Sequence, residues 1–306
     1  MDYLAYDRVH HRVWVPAGNT ASIDVIDAAC DHAGCDHVTR IEGFPTAEIE
    51  RNGVKRTVGP SSAAVGDGIV YVGNRGDSTV CAIDADSLQR GSCVVLESVP
   101  DGLAYVAATK EVWATLPGEQ SIAIIDAAAR AALTRKATIR LDGQPEGFAV
   151  DDAHGVFYTN LEDADRTLTI DIATQRVTRT WMPGCGPDGP RGLAVDGAIG
   201  VLLVACPDRV VALDARHDGR PLSAITVGGG LDNIDYVAHR HELYAAAARA
   251  ATLTILRVGL DGGLIPVAVV PTAAGARNAV STDEGTAYVT HSAAGEILVA
   301  TPLGSH

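Results

Sequence analysis

Pro145-Glu146-Gly147-Phe148-Ala149-Val150 is a turn residue and two small or polar residues followed by a short apolar run. The same phrase stands at Pro60-Ser61-Ser62-Ala63-Ala64-Val65, Pro100-Asp101-Gly102-Leu103-Ala104-Tyr105 and Pro190-Arg191-Gly192-Leu193-Ala194-Val195. Weaker copies are Asp232-Asn233-Ile234-Asp235-Tyr236 and Arg277-Asn278-Ala279-Val280, and the opening Asp2-Tyr3-Leu4-Ala5-Tyr6 makes a seventh. From residue 60 onward the copies advance by 40, 45, 45, 42 and 45 residues. A repeat of this length accommodates four short strands and the turns between them.

Each unit continues in the same order. A second apolar strand is centred on an aromatic or Leu: Val13-Trp14-Val15, Val70-Tyr71-Val72, Val112-Trp113-Ala114, Val156-Phe157-Tyr158, Leu202-Leu203-Val204, Leu243-Tyr244-Ala245 and Ala287-Tyr288-Val289. A third ends in an apolar residue and Asp, at Asp27, Asp84, Asp126, Asp171, Asp214 and Asp261. An aspartate there accepts hydrogen bonds from the backbone just beyond it and starts the next turn. Their recurrence marks these aspartates as scaffold rather than catalyst. The pattern predicts an all-β fold, a seven-bladed β-propeller of four-stranded antiparallel blades, as one domain over 1–306. Two units depart from the pattern. The first carries an insertion at 46–57, and the last stops after its third strand near Ala300. Its fourth strand is either absent or supplied by residues ahead of Met1.

The composition fits this reading and narrows the partners. Hydrophobic residues make up 47% of the 306 but aromatics only 5%, so small and β-branched side chains fill the core. The formal charge is -14 with no local cluster of Lys and Arg, which argues against a nucleic-acid or anionic-membrane partner. No apolar run approaches the roughly 20 residues that span a bilayer. The six cysteines are even in number. Cys81 and Cys93 flank a turn between two expected strands, and Cys30 and Cys35 share a loop, so both pairs are expected disulfides. Such pairing points to an exported protein, periplasmic or secreted, whose leader is not part of this sequence. The closing Gly304-Ser305-His306 is of a kind that a cloning vector leaves.

Val70-Tyr71-Val72-Gly73-Asn74, followed by Ser78-Thr79-Val80-Cys81-Ala82-Ile83-Asp84, resembles the YVTN-type repeat propellers, including the exported YncE-like proteins. The resemblance runs through nearly the whole chain. It implies the fold and says little of function, because such propellers serve as binding surfaces, enzymes and electron-transfer domains alike.

Antiparallel order brings the starts of first strands to the same end as the ends of second strands. The first set supplies Ser61, Asp101, Glu146, Arg191, Asn233 and Asn278; the second supplies Ala17, Asn74, Leu116, Asn160, Cys206, Ala247 and His291. These polar exceptions within an apolar repeat are the candidate site, expected around one channel mouth. Glu146 and Arg191 are the candidate catalytic pair. Asp101, Asn160, Asn233 and Asn278 are candidate ligand or cofactor contacts, and Glu146, His291, Cys206 and Asn74 are candidate metal ligands. Oxygen ligands alone would suit Ca, Mg or Mn; with Cys206 and His291 the metal would be Zn or Cu.

Each candidate also has a structural reading. Asn74 and Asn160 suit turn geometry, Glu146 and Arg191 stand in adjacent units where they could simply pair, and Cys185 could bond Cys206 and so remove it as a ligand. His10-His11 and His239-Arg240-His241 fall in turns at the opposite end, read as solvated. Arg75-Gly76-Asp77 carries no adhesion meaning. Nucleophile elbow, P-loop, dinucleotide fingerprint and paired zinc cysteines are all absent from the sequence. Three functions remain open: a protein binding a small polar molecule or metal ion at the mouth, a divalent-metal lactonase or lyase, or an interaction scaffold for a protein partner. For the enzyme, Glu146, Asn160, Asn233 and Asp101 are similar in type to the set used by propeller lactonases of the gluconolactonase kind, without a shared motif.

Overall fold

The computed structural model describes residues 1–29, 38–51, 53–130 and 132–302. The expected Cys30–Cys35 pair and the Gly304-Ser305-His306 ending lie outside them. Every strand the repeat predicts is present, in seven antiparallel sheets whose strands follow chain order. Sheet one is β1 (Ala5–Asp7), β2 (Arg12–Ala17), β3 (Ser22–Asp27) and β4 (Val38–Ile41). A separate hairpin, β5 (Ala47–Arg51) and β6 (Val54–Val58), occupies the insertion. Sheet two is β7 (Pro60–Gly66), β8 (Ile69–Asn74), β9 (Thr79–Asp84) and β10 (Arg90–Val95). Sheet three is β11 (Leu103–Val106), β12 (Glu111–Leu116), β13 (Ser121–Asp126) and β14 (Thr134–Arg140). Sheet four is β15 (Pro145–Asp151), β16 (Val156–Leu161), β17 (Arg166–Asp171) and β18 (Arg176–Trp181).

Sheet five is β19 (Leu193–Asp196), β20 (Val201–Ala205), β21 (Arg209–Asp214) and β22 (Arg220–Thr226). Sheet six is β23 (Leu231–Val237), β24 (Glu242–Ala247), β25 (Thr252–Val258) and β26 (Leu264–Pro271). Sheet seven has three strands among the described residues, β27 (Arg277–Ser281), β28 (Ala287–His291) and β29 (Glu296–Ala300). This is the blade plan of a seven-bladed β-propeller. The helical content of the described residues is three short 3-10 turns. Two compact units divide the chain, Met1–Pro145 and Glu146–His306.

Second and third strands are buried along their whole length, as in β8 and β12, because neighbouring sheets cover both faces. The cores therefore lie between sheets. In the first unit Trp14 and Ile23 pack with Val70 and Ile83, and Tyr71 and Val80 with Leu103 and Val112. In the second, Tyr158 packs with Leu202, Leu203 with Leu243, and Leu253 with Val289. Fourth strands face solvent and run exposed, as in β14 and β18.

The turns are locally encoded. Asp84 accepts from the Ser87 amide at 2.9 Å, Asp126 from Ala128 at 2.9 Å and Asp171 from Thr174 at 2.7 Å. These aspartates are scaffold. The sixth unit corrects the expected register: β25 ends at Val258, and Asp261 lies beyond it in a glycine-rich turn, accepting from the Gly263 amide at 3.0 Å. A second device recurs just before the second strand, where the backbone turns left-handed. Gly155 and Gly200 take this conformation at φ 68° and 73°, whereas His11, Lys110 and His241 adopt it at 51°, 53° and 51°. Only glycine does so without a steric penalty.

Candidate functional site

The leading end of each sheet, where first strands start and second strands stop, carries the predicted residues. In the first unit Asn74 closes β8 and is fully buried. Its amide nitrogen donates to the Pro45 carbonyl at 3.0 Å and to Asp77 at 2.8 Å, and its oxygen accepts from the Gly76 amide at 3.0 Å. Asn74 is thus a turn brace, with no atom free for a metal. Asp101 is buried just ahead of β11 and pairs with Arg75, which also reaches Asp2 at 2.8 Å. Burial opposes the Arg75 charge, but the two aspartates more than offset it and its pKa is raised.

In the second unit Asn160, buried in β16, donates to the Arg191 carbonyl at 2.5 Å and accepts from the Thr167 hydroxyl at 2.6 Å. The Arg191 guanidinium pairs with the Glu162 carboxylate and donates to the Asp188 carbonyl at 3.1 Å. Its carboxylate partner thus includes a residue that the register of strand ends did not select. Glu146 is half-buried as the second residue of β15. Asn278 is buried at a φ of 61° and accepts from the Asn233 amide at 3.1 Å, joining sheet seven to sheet six. The Asn233 side chain accepts from the Ile234 amide at 3.0 Å. Asp232 and Arg277 form a further pair between the same sheets at 3.1 Å.

Cys206 does not serve as a metal ligand. It is bonded to Cys185, with Cα atoms 5.0 Å apart, so its thiolate is consumed. Cys81 and Cys93 are bonded as expected, directly opposite each other on β9 and β10, with a Cα separation of 4.0 Å. No free cysteine occurs among the described residues. Nor do three His, Cys, Asp or Glu side chains converge there to hold a metal ion. His291 ends β28 with its Nδ1 buried, 3.6 Å from a Glu296 oxygen and making no hydrogen bond.

The opposite, turn end holds what the strand-end register missed. His10 is not a solvated turn residue: it lies between Asp7 at 2.6 Å and Asp86 at 2.8 Å, and the Asp7 hydrogen bond raises its pKa. Asp151 and His154 pair at 2.8 Å, and Asp214 and His217 at 2.9 Å, each in the spacing Asp-x-x-His. Tyr236 donates to Asp196 at 2.7 Å, and His241 lies 3.2 Å from the same carboxylate. Tyr105 repeats the arrangement toward Asp67 at 2.8 Å. The repeated Tyr, five residues ahead of the left-handed position, was the available sequence signal.

No protein-family model matches the chain, and no curated protein matches it. Solved structures do match it. Hydrazine synthase of Kuenenia stuttgartiensis is similar with a TM-score of 0.78 and 15% identity, covering 98% of this chain and 95% of that one. The Cps50 (Swd1) β-propeller domain of Myceliophteria thermophila gives 0.75 and 11%, covering 99% and 97%. The WD40 repeats of RRP9 give 0.71 and 11%, covering 94% and 85%. At these identities the likeness establishes the fold, a seven-bladed β-propeller.

Proposed function

We propose that this chain is an exported interaction scaffold of the YVTN-type propeller kind, which docks a protein partner on its outer strands. The observation carrying this reading is the fate of the polar leading end. Asn74, Asn160, Asn278, Cys206, Arg75, Arg191 and Arg277 are all engaged in bonds within or between sheets. Side chains so employed make a rigid frame rather than a set converging on a ligand. Apolar side chains are instead exposed on an outer strand, Ile265, Val267 and Val269 of β26 at 61%, 50% and 59%. Propeller neighbours fit this reading, since one is a structure of the mitotic checkpoint complex. The two disulfides favour an oxidising compartment.

The test is crosslinking mass spectrometry in an extract of the source organism, with the triple variant Ile265→Lys, Val267→Lys, Val269→Lys as control. Crosslinked partners lost from the variant support the reading. The same partners retained at full yield, or none at all, sink it.

A second reading, a small polar ligand or metal at the leading end of the second unit, draws support from the buried Nδ1 of His291, which lacks a hydrogen bond. There Glu146 and His291 would act as ligand contacts, with Glu146 as general base if the protein is a lactonase or lyase. Calorimetry with Ca²⁺, Mn²⁺ and Zn²⁺ on the wild type and on Glu146→Gln tests it. Binding that the substitution weakens at unchanged thermal stability supports it; no heat with any ion, or heat that Glu146→Gln leaves unaltered, overturns its metal form.

A further inference from the structure

Six sheets end in a fourth strand of four to eight residues, and sheet seven ends at β29 among the described residues. The geometry points to the outer edge of β29 as a docking site for an extended, basic strand of a separate protein, added antiparallel as the fourth strand of that sheet. This deepens the scaffold reading and rests on it.

The first support is the backbone. An edge strand presents unpaired amides and carbonyls every second residue, and the sibling sheets show how this fold satisfies them. The second is the adjoining wall. Leu253, Ile255 and Val270 of sheet six pack against Leu298 and Ala300 of β29. In the β25–β26 register Leu253 pairs with Val270, Ile255 with Ala268 and Arg257 with Ile265, so these residues share the face turned to sheet seven. Farther along it, Ile265 is 61% exposed where a fourth strand of sheet seven would cover it. The strand that carries it, β26, is also the one outer strand without a charged residue; Arg40, Arg90, Lys136, Arg176 and Arg220 mark the other five.

The third support is charge, which selects the occupant. Glu296 opens β29 with a side chain 62% exposed. In sheet three the fourth-strand residue opposite the first residue of the third strand is Arg140, facing Ser121. A cation in that place beside Glu296 would pair with it. A second copy of this chain would instead bring another Glu296 and the same charge of -14, so self-pairing is disfavoured.

The probe is a fluorescein-labelled synthetic peptide copying Leu133–Leu141, the segment containing β14, titrated into the whole protein by anisotropy. Two further versions carry N-methyl groups on alternate amides, one on each edge. Saturable one-to-one binding is expected, lost at least tenfold with one methylated version and within threefold of the parent with the other. Glu296→Lys should weaken binding about tenfold, and the amides of β29 should gain hydrogen-exchange protection. No binding, or equal binding of both methylated peptides, overturns the proposal. So does protection of the β29 outer amides before peptide is added, which would mean the chain closes its own edge. Dimerisation in sedimentation through Val299 would assign the edge to a second copy and also overturn it. If the peptide fails while the crosslinked partners of the β26 experiment remain, the edge is refuted and the scaffold reading stands.

Discussion

The Tyr236 hydroxyl donates to Asp196 at 2.7 Å, fastening the first strand of sheet six to that of sheet five. Burial first, and then this hydrogen bond, raise the phenol pKa, so the proton stays on the tyrosine throughout the working range. Asp196 keeps the Ala198 and Ile199 amides at 3.1 and 3.3 Å when the phenol is removed. Tyr236→Phe should therefore cost about 1–2 kcal/mol in urea unfolding, the worth of one hydrogen bond to a charged group. A loss under about 0.5 kcal/mol would show the contact to be idle.

His10 should make stability depend on pH. Its folded pKa is raised, chiefly by the Asp7 hydrogen bond, so its contribution is complete below the unfolded value near 6.5. That contribution fades as pH climbs through the raised folded value. The difference in melting temperature between the wild type and His10→Gln should be largest near pH 5.5 and smallest near pH 9. A gap that widens with rising pH would contradict the pairing with Asp7 and Asp86.

The two disulfides close loops with sequence separations of 12 and 21. Removing either by paired Cys→Ala substitution should cost about 2–4 kcal/mol. Thiol titration of the native, unreduced protein should find none of Cys81, Cys93, Cys185 and Cys206. Three or more reactive sulfhydryls would contradict at least one of these bonds.

Arginine pairs at the leading ends should differ by burial. Arg75 is flanked by Asp2 and Asp101 and is 29% exposed, and removing it leaves two aspartates without their shared cation. Arg75→Gln should cost about 2 kcal/mol. Arg277, 45% exposed beside Asp232, should cost about 0–1 kcal/mol on the same change. Equal losses would show that burial does not set the scale here.

Strand order was readable because each blade repeats its own apolar run, a local property of the chain. The Cys81–Cys93 bond was readable for the same reason, since a hairpin fixes which residues face each other. Asp261 misled because five residues, Gly259-Leu260-Asp261-Gly262-Gly263, stretch the sixth turn beyond the strand end. The leading-end residues were found in the right places, but their partners were not. Arg191 bonds Glu162, which lies two positions past Asn160, and no period announces a contact between sheets. The Asp196, Tyr236 and His241 cluster was hidden likewise, because its members come from two repeats and look like ordinary turn residues singly.

The left-handed position before each second strand opens a route to engineering thermostability. Where Gly155 and Gly200 sit, the backbone is at ease; at Lys110 and His241 the chain bears a penalty of about 1 kcal/mol in exchange for a side chain. Lys110 gains little in return, its nearest carboxylate being Asp67 at 4.0 Å and both groups exposed. His241 holds on to the buried Asp196. Lys110→Gly is then a gain in melting temperature and His241→Gly is not, so a single homologous site in two repeats offers a designer opposite answers.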